Sequence, residues 1–344
     1  MKKALIAFLL IAVMLPAAAQ IRINDANNGS PIPFASIFLA NGTCVGVSST
    51  EGILTLPKGY TGSITVQHIN FENKTFSTDT VTNATVALIP YTYSVPETVC
   101  KYERPDYMKI SAYARSYYMS DSIPASFSDG IYYFYIPLNG GKVKRKQLSA
   151  RQMYRSDLLE DGGDWFLYKG KKPRLSTSTV LASLKSKGLI TENMGTQVLE
   201  HGKRGLVRGI RTDSVTNTMD VYSDSLFTAN DYKISLFGIS ARFTNMGTTE
   251  TYSTANGIPK LKDLHKISYY ICCYWRIHGK KRPEVRVDEF SELFVTGISY
   301  ASKNDMKADL KDKTVKPVEV PPTIPELSPS LAKAVANMKS SATK

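Results

Sequence analysis

The sequence predicts a mainly β protein, with a small N-terminal β-sandwich followed by a larger β-rich domain built on antiparallel sheet with few helices. Three observations support this prediction. The chain has 20 Tyr against 2 Trp, together with many short Thr, Ser, Tyr and Ile runs, and such side chains fit a half-buried pleated surface. Turn residues recur at short intervals between residues 27 and 73, and residues 265–278 alternate between two faces.

Length and composition describe a globular protein. The 344 residues are 42% hydrophobic and 21% charged, which fits neither a disordered chain nor a membrane protein with many spans. This length has room for two domains. Four Cys are too few for a disulfide scaffold.

The first element is a predicted signal peptide at residues 1–19. Lys2 and Lys3 precede an apolar run at 4–15, and Ala17 to Ala19 offer small residues for cleavage before Gln20. The apolar run is shorter than the roughly 20 residues that span a bilayer, and no later stretch approaches that length. We therefore expect an exported protein with no transmembrane span in the mature chain.

The second element is a predicted β-sandwich at residues 20–92. Short apolar runs alternate here with clusters of Gly, Asn and charged residues that suit tight turns. The predicted strands are the runs at 21–23, 35–39, 52–56, 64–69 and 85–88.

Three stretches of this domain, at 29–37, 46–56 and 64–72, resemble the carboxypeptidase-regulatory-like domain. The resemblance implies an immunoglobulin-like sandwich of the transthyretin type, as found in exported proteins of the Bacteroidetes that include TonB-dependent receptors. The family's strand that ends near Gly-Tyr has Asn70-Phe71 here. The family carries no peptidase residues, so the resemblance implies no catalytic residue in this chain.

After a predicted linker at 93–105, residues 106–300 form the predicted β-rich domain. Ile267, Tyr269, Ile271 and Cys273 share one face of a strand, and the other face should meet water or a partner. The alternation after 285 breaks at 289–290, where we expect a bulge. A hairpin is predicted from 131–136 to 142–148, further strands at 165–168 and 232–243, and one helix at 179–187 with caps among 176–178.

Residues 301–344 form a predicted Pro-containing tail with short helices. One charged helix is expected through Met306 and Leu310, and a second begins at Ser328 and Pro329 with an apolar stripe that includes Leu331. The tail either frays or packs against the sheet as a strap. The sequence does not decide between the two.

Positive charge is concentrated between residues 97 and 211, which hold 20 basic and 11 acidic residues. This excess indicates either a solvated hairpin tip or a face that contacts an envelope polyanion with salt-sensitive affinity. On a strand the cluster around 144–146 would divide between two faces, so only part of it could meet one ligand. The candidate polyanion contacts are Lys144, Arg145, Lys146, Lys171 and Lys172.

No catalytic, cofactor-binding or metal-ligating residue is predicted. Adjacent Cys272 and Cys273 point to opposite faces of a strand, with Cys273 packed and Cys272 on the surface, and a Cys44–Cys100 disulfide stays open. The acidic run at 160–164 reads as a turn, with a glycosidase-type or calcium site as the alternative. None of the four His adjoins a nucleophile motif.

These observations predict an exported protein that is located in the periplasm, associated with the outer membrane or secreted. They favour a binding or scaffold protein over an enzyme. Its partner would be an envelope protein or glycan, with no nucleic acid because export removes the chain from it. Two alternatives stay open. One is an envelope hydrolase or peptidase-associated protein whose site is not visible in sequence, and the other is an accessory to an outer-membrane nutrient receptor.

Overall fold

The computed structural model describes residues 20–56, 60–68, 70–78, 85–91, 104–156, 173–191, 194–226, 232–236, 239–255, 257–277 and 284–340. The predicted signal peptide, most of the predicted linker, Cys100 and the predicted strand at 165–168 lie outside these residues. Within them the predicted fold class is confirmed, because strands dominate and most pairings are antiparallel. Over the same part of the chain, no helix has the length and apolar character needed to cross a bilayer.

The N-terminal unit is a sandwich of two sheets. Its strands are β1 (Gln20–Asp25), β2 (Ser36–Leu39), β3 (Cys44–Val47), β4 (Ile53–Thr55), β5 (Ser63–His68), β6 (Phe71–Ser77) and β7 (Thr85–Leu88). One sheet has the order β4-β1-β7, with β1 and β7 parallel, and the other has the order β3-β2-β5-β6. Ile23, Leu54 and Val86 of the first sheet pack against Ile37 and Val66 of the second.

The described residues from 107 to 340 include one 11-stranded antiparallel sheet. Its strands are β8 (Tyr107–Ser120), β9 (Ile123–Pro137), β10 (Lys144–Tyr154), β11 (Gln197–His201), β12 (Leu206–Asp213), β13 (Thr218–Leu226), β14 (Lys233–Leu236), β15 (Ile239–Ser253), β16 (Leu264–Ile277), β17 (Val285–Ala301) and β18 (Lys339–Ser340). Their order is β11-β12-β13-β15-β16-β17-β8-β9-β10-β18, and β14 also pairs with β15. The predicted hairpin of β9 and β10 is confirmed.

Different parts of the chain pack on the two faces of this sheet. We call the face with Tyr117, Tyr270 and Phe290 the sandwich face, because Phe38 of the sandwich packs on these rings. The opposite face, with Ala114, Ile267 and Leu293, is the helix face, because α1 (Val180–Ser186) packs there through Leu181 and Leu184. The side of β16 that was expected to meet water or a partner therefore meets the chain's own first unit.

Phe34 shows how closely the sandwich approaches the sheet. Its backbone φ angle is 61°, in the left-handed region that residues other than Gly rarely adopt. Its ring lies over Gly247 of β15, where a Cβ would come within 2.8 Å of the Phe34 ring. A side chain at position 247 would therefore displace the ring, and Gly is required for the contact.

The tail packs as a strap on the sandwich face, as one of the two predicted alternatives. α2 (Lys303–Lys311) buries Met306, and the segment after it places the Pro325 carbonyl against the guanidinium of Arg115. α3 (Pro329–Ala336) buries Leu331 and Val335 in the cluster that also holds Phe38, Tyr117 and Phe127. β18 then pairs with Met153 and Tyr154 at the end of β10, so the strap covers this end of the sheet edge.

Three sequence expectations are corrected. β17 keeps its register with β16 through Glu289 and Phe290, and its irregularity lies at 295–297 against β8. Cys272 is buried like Cys273, because the sandwich covers its face. The cap of α1 is Thr179, whose side chain accepts from the Ala182 N–H, one residue beyond the predicted caps.

Candidate functional site: a cavity on the helix face

A cavity of about 780 Å³ lies on the helix face, where the sheet extends beyond α1. Ligand pockets in proteins commonly enclose about 300 to 1,000 Å³. The floor of the cavity is β8, β17, β16 and β15, and residues 173–179 form one wall. This cavity is the candidate functional site.

Its floor has a row of hydroxyl side chains set by strand register. Ser116 lies opposite Ser291, Ser291 opposite Tyr269, and Tyr269 opposite Thr248. The Ser116 and Ser291 hydroxyls are 2.9 Å apart and hydrogen-bonded. Register extends the row by one strand on each side, to Ser128 of β9 and Ser223 of β13. We call Ser128, Ser116, Ser291, Tyr269, Thr248 and Ser223 the hydroxyl row.

Apolar side chains flank the hydroxyl row on both sides. Ala114, Leu293 and Ile267 form the next row toward α1 and belong to the main core of the sheet. On the other side, Tyr118 and Ile271 belong to a separate apolar cluster. The polar row is thus a band between two apolar patches, and all its members except the buried Ser116 are partly exposed.

Two carboxylates lie on the same floor. Glu250 accepts from the backbone N–H groups of Val180 and Leu181 at 2.7 and 3.1 Å, so it anchors the first turn of α1 where the helix dipole favours negative charge. Burial raises the pKa of Glu250 despite these bonds. Glu289 extends from β17 beside the hydroxyl row, and the Ser291 hydroxyl donates to it over 3.5 Å.

Two arginines define the edge of the cavity. Arg145 of β10 donates to the Pro173 carbonyl at 2.5 Å, and its guanidinium carbon lies 5.9 Å from the Tyr132 ring centroid. Burial, with the neighbouring positive charge of Arg174, lowers the pKa of Arg145. Over the described ranges, no carboxylate forms an ion pair with Arg145 or Arg174.

The predicted polyanion contacts divide between the two faces. Arg145 lines the cavity on the helix face. Lys146 is buried on the sandwich face and donates to the Asp312 carbonyl. Lys144 is exposed, and Lys171 and Lys172 lie outside the described residues. The alternation of a β-strand explains this division for Arg145 and Lys146, and among the described contacts it leaves Arg145 as the one that lines the cavity.

Sequence reasoning missed the hydroxyl row and Arg174. The members of the row belong to six strands, and single Ser, Thr and Tyr residues in strands carry no motif. Only the correct register of the whole sheet aligns them. The signal available in the sequence was the run of small polar residues at positions that alternation assigns to one face, such as Ser116 beside the apolar Ala114.

A second polar cluster joins the sandwich to the sheet. The Asn70 amide nitrogen donates to Asp220 at 2.7 Å and to Thr251 at 2.9 Å. His68 and Lys266 are buried nearby. Burial and the positive charges of Arg211 and Lys266 lower the pKa of His68 to about 3, and burial lowers the pKa of Lys266 to about 8.

This cluster encloses a cavity of only about 70 Å³. Asn70, Asp220 and Thr251 in its lining are hydrogen-bonded to one another, and its volume falls well below that of common ligand sites. The arrangement is suited to fixing the sandwich on the sheet. We therefore name it the docking cluster, defined by Asn70, Asp220, Thr251, His68 and Lys266.

The described ranges contain no group of three or more His, Cys, Asp and Glu side chains placed to hold a metal ion. Cys44, Cys272 and Cys273 are buried free thiols. Burial, with the negative charge of Asp288, raises the pKa of Cys44 to about 12, so this thiol stays protonated and poorly nucleophilic near neutral pH. The acidic run at 160–164 and His278 lie outside the described residues.

Comparison with known proteins adds little to this geometry. No protein-family model matches the chain, and no curated protein matches it. Among solved structures, one titled lipid–protein interactions in lipovitellin aligns with a TM-score of 0.31 and 11% identity. The alignment covers 58% of this chain and 26% of the lipovitellin chain. A similarity of this size leaves both family and function open.

Proposed function

We propose that this chain is an exported, non-enzymatic binding or scaffold protein of a bacterial cell envelope, and that the cavity on the helix face holds its ligand. The observation that carries this proposal is the cavity itself. It combines sufficient volume with a floor of ordered strands and a band of hydroxyls between apolar patches. Pockets that bind small ligands combine apolar walls with a few polar groups in this way.

The sheet under the cavity presents a rigid surface to a ligand. β8 and β17 pair over 14 register positions, and β16 pairs with β17 over ten, so the floor residues have fixed spacing. A fixed floor lowers the entropy lost when a ligand binds. The N-terminal residues 1–19 support export, and the resemblance of 20–92 to a domain of exported proteins supports an envelope location.

The test compares two Thr→Trp variants of the full chain. Thr248→Trp projects an indole ring into the cavity beside the hydroxyl row, and Thr314→Trp places the same ring at an exposed site in the strap. Each protein is immobilised and exposed to an envelope extract, and the retained glycan and protein are quantified. We expect at least about fivefold less retention by Thr248→Trp and unchanged retention by Thr314→Trp. Equal retention by both variants, with unchanged circular dichroism, would reject the cavity as the ligand site.

A separate measurement tests export. N-terminal sequencing of the protein recovered from the envelope fraction should begin at Gln20. Recovery of Met1 from the mature protein would reject the predicted signal peptide.

A further inference from the structure

The hydroxyl row restricts the chemistry of the ligand. On a sheet face the backbone N–H and C=O groups are committed to neighbouring strands, so only side chains are offered to a ligand. Adjacent strands lie about 4.8 Å apart, so the six aligned hydroxyls form a band of about 24 Å, and the four that line the cavity (Ser116, Ser291, Tyr269 and Thr248) span about 14 Å of it. Each hydroxyl donates one hydrogen bond and accepts up to two. A ligand that is itself rich in hydroxyls matches this band, because both sides then donate and accept.

The two arginines add an oxyanion subsite. Arg145 is half-buried and directs one N–H to the Pro173 carbonyl, which leaves other guanidinium donors for a ligand. Arg174 lies close enough that its charge lowers the pKa of Arg145. An oxyanion between them would relieve this repulsion and accept bidentate hydrogen bonds, as carboxylate and phosphate do.

Glu289 and Glu250 limit how much negative charge the ligand can carry. Both carboxylates line the same cavity as the arginines, so a densely charged polyanion would meet repulsion along the floor. A ligand with an isolated oxyanion avoids that repulsion. Its hydroxyl groups can instead donate to the Glu289 side chain beside the row, since carboxyl oxygens accept hydrogen bonds.

We propose that the cavity binds an oligosaccharide that carries isolated carboxylate or phosphate groups. Its hydroxyls lie along the hydroxyl row, and its oxyanion lies between Arg145 and Arg174. An extended peptide fits less well, since peptides pair with exposed strand edges and the cavity floor is a sheet face. This inference rests on the proposed function, because it names the ligand class of the same cavity.

The experiment measures binding of defined probes to the full chain by isothermal titration calorimetry. The probes are a maltotriose that carries a single terminal uronate, its neutral methyl ester, a maltotriose monophosphate and hexaglutamate. We expect the singly charged uronate or the maltotriose phosphate to bind at least about tenfold more tightly than the neutral sugar, since a charge-assisted bidentate contact is worth that factor or more. Whichever of the two binds more tightly identifies the oxyanion. Hexaglutamate should bind no better than the neutral sugar.

Matched variants localise the effect. Arg145→Gln with Arg174→Gln should remove the advantage of the charged sugar, and Arg174→Gln alone, at an exposed position, should remove part of it. Lys142→Gln with Lys144→Gln removes the same charge from exposed positions of the same hairpin and should leave affinity unchanged. Equal losses in the Arg and Lys pairs would overturn the subsite, because they would show a diffuse charge effect.

Two other outcomes separate this inference from the proposed function. If hexaglutamate binds as tightly as the sugars, or if no sugar binds at millimolar concentration while Thr248→Trp still loses envelope material, the oligosaccharide is rejected and the cavity remains a binding site. If Thr248→Trp also retains envelope material normally, both proposals fail together.

Discussion

The docking cluster offers the sharpest stability test, through Asn70→Ala. Asn70 occupies the turn between β5 and β6, and its amide reaches two strands of the large sheet. The partners are separated from it by 150 and 181 residues along the chain. Both bonds are buried, so removing the amide leaves Asp220 and Thr251 with fewer donors where water is scarce.

The magnitude follows from the two bonds. A hydrogen bond to a charged group contributes about 1.5 to 3 kcal/mol, and a neutral one about 0.5 to 1.5 kcal/mol. In the variant the Thr251 hydroxyl still donates to Asp220 at 2.6 Å, so this carboxylate keeps one of its two buried donors. We therefore expect Asn70→Ala to lower the free energy of unfolding by about 2 to 3 kcal/mol.

The assay is urea unfolding followed by circular dichroism and fluorescence. Asn73→Ala is the matched control, since Asn73 lies in the same hairpin, is exposed, and makes a 3.2 Å bond to the Glu326 carbonyl. Asn73→Ala should lower the free energy of unfolding by no more than about 0.5 kcal/mol. A double-mutant cycle with Asp220→Ala should give a coupling energy of at least about 1 kcal/mol. If Asn70→Ala and Asn73→Ala lose the same stability, Asn70 does not fix the sandwich on the sheet.

Three further predictions concern His68, Gly247 and Leu331. Because the folded pKa of His68 is about 3 against 6.5 for the free side chain, the unfolded chain alone takes up this proton as pH falls below 6.5. Stability therefore falls as pH drops from 6.5 to 3, and this group lowers the free energy of unfolding by about 2 kcal/mol at pH 5. In urea unfolding at pH 7 and pH 5, the loss of stability at the lower pH should be smaller in His68→Gln by that amount. An equal loss in the two proteins would refute the assignment. Gly247→Ala should lose about 1 to 3 kcal/mol by overpacking against Phe34, and adding Phe34→Leu should recover part of the loss in the same assay. Leu331→Ala should lose about 2 to 5 kcal/mol because the side chain is fully buried, whereas exposed Lys333→Ala should change the melting temperature little; similar shifts would show that α3 does not pack as described.

Local patterns in the sequence predicted local structure well. The alternation in β16, the β9–β10 hairpin and the buried positions of α3 follow from side-chain spacing alone, and each is confirmed. The bulge at Glu289 was wrong for an instructive reason. Glu289 keeps the alternation, and a carboxylate is tolerated there because its face of the sheet forms the polar floor of the cavity.

Long-range features were beyond such patterns. Alternation shows which residues share a face but not what covers the face, so Cys272 was assigned to the surface although the sandwich covers it. Asn70 was noticed only as a departure from the resemblance, and its role depends on partners far away in sequence. The cavity needs the register of many strands together, which single-strand spacing does not supply.

The position of α3 has a consequence for the order in which the molecule can be completed. Leu331 and Val335 fill the cluster that joins Phe38 of the sandwich to Phe127 of the sheet, and β18 follows on the sheet edge. Ribosomes make the sandwich before these residues. A nascent chain that stops before Pro329 presents bare aromatic rings at this junction, and such surface attracts chaperones and proteases. The strap therefore completes the contact between the two β units, and the junction stays open in a chain that lacks it.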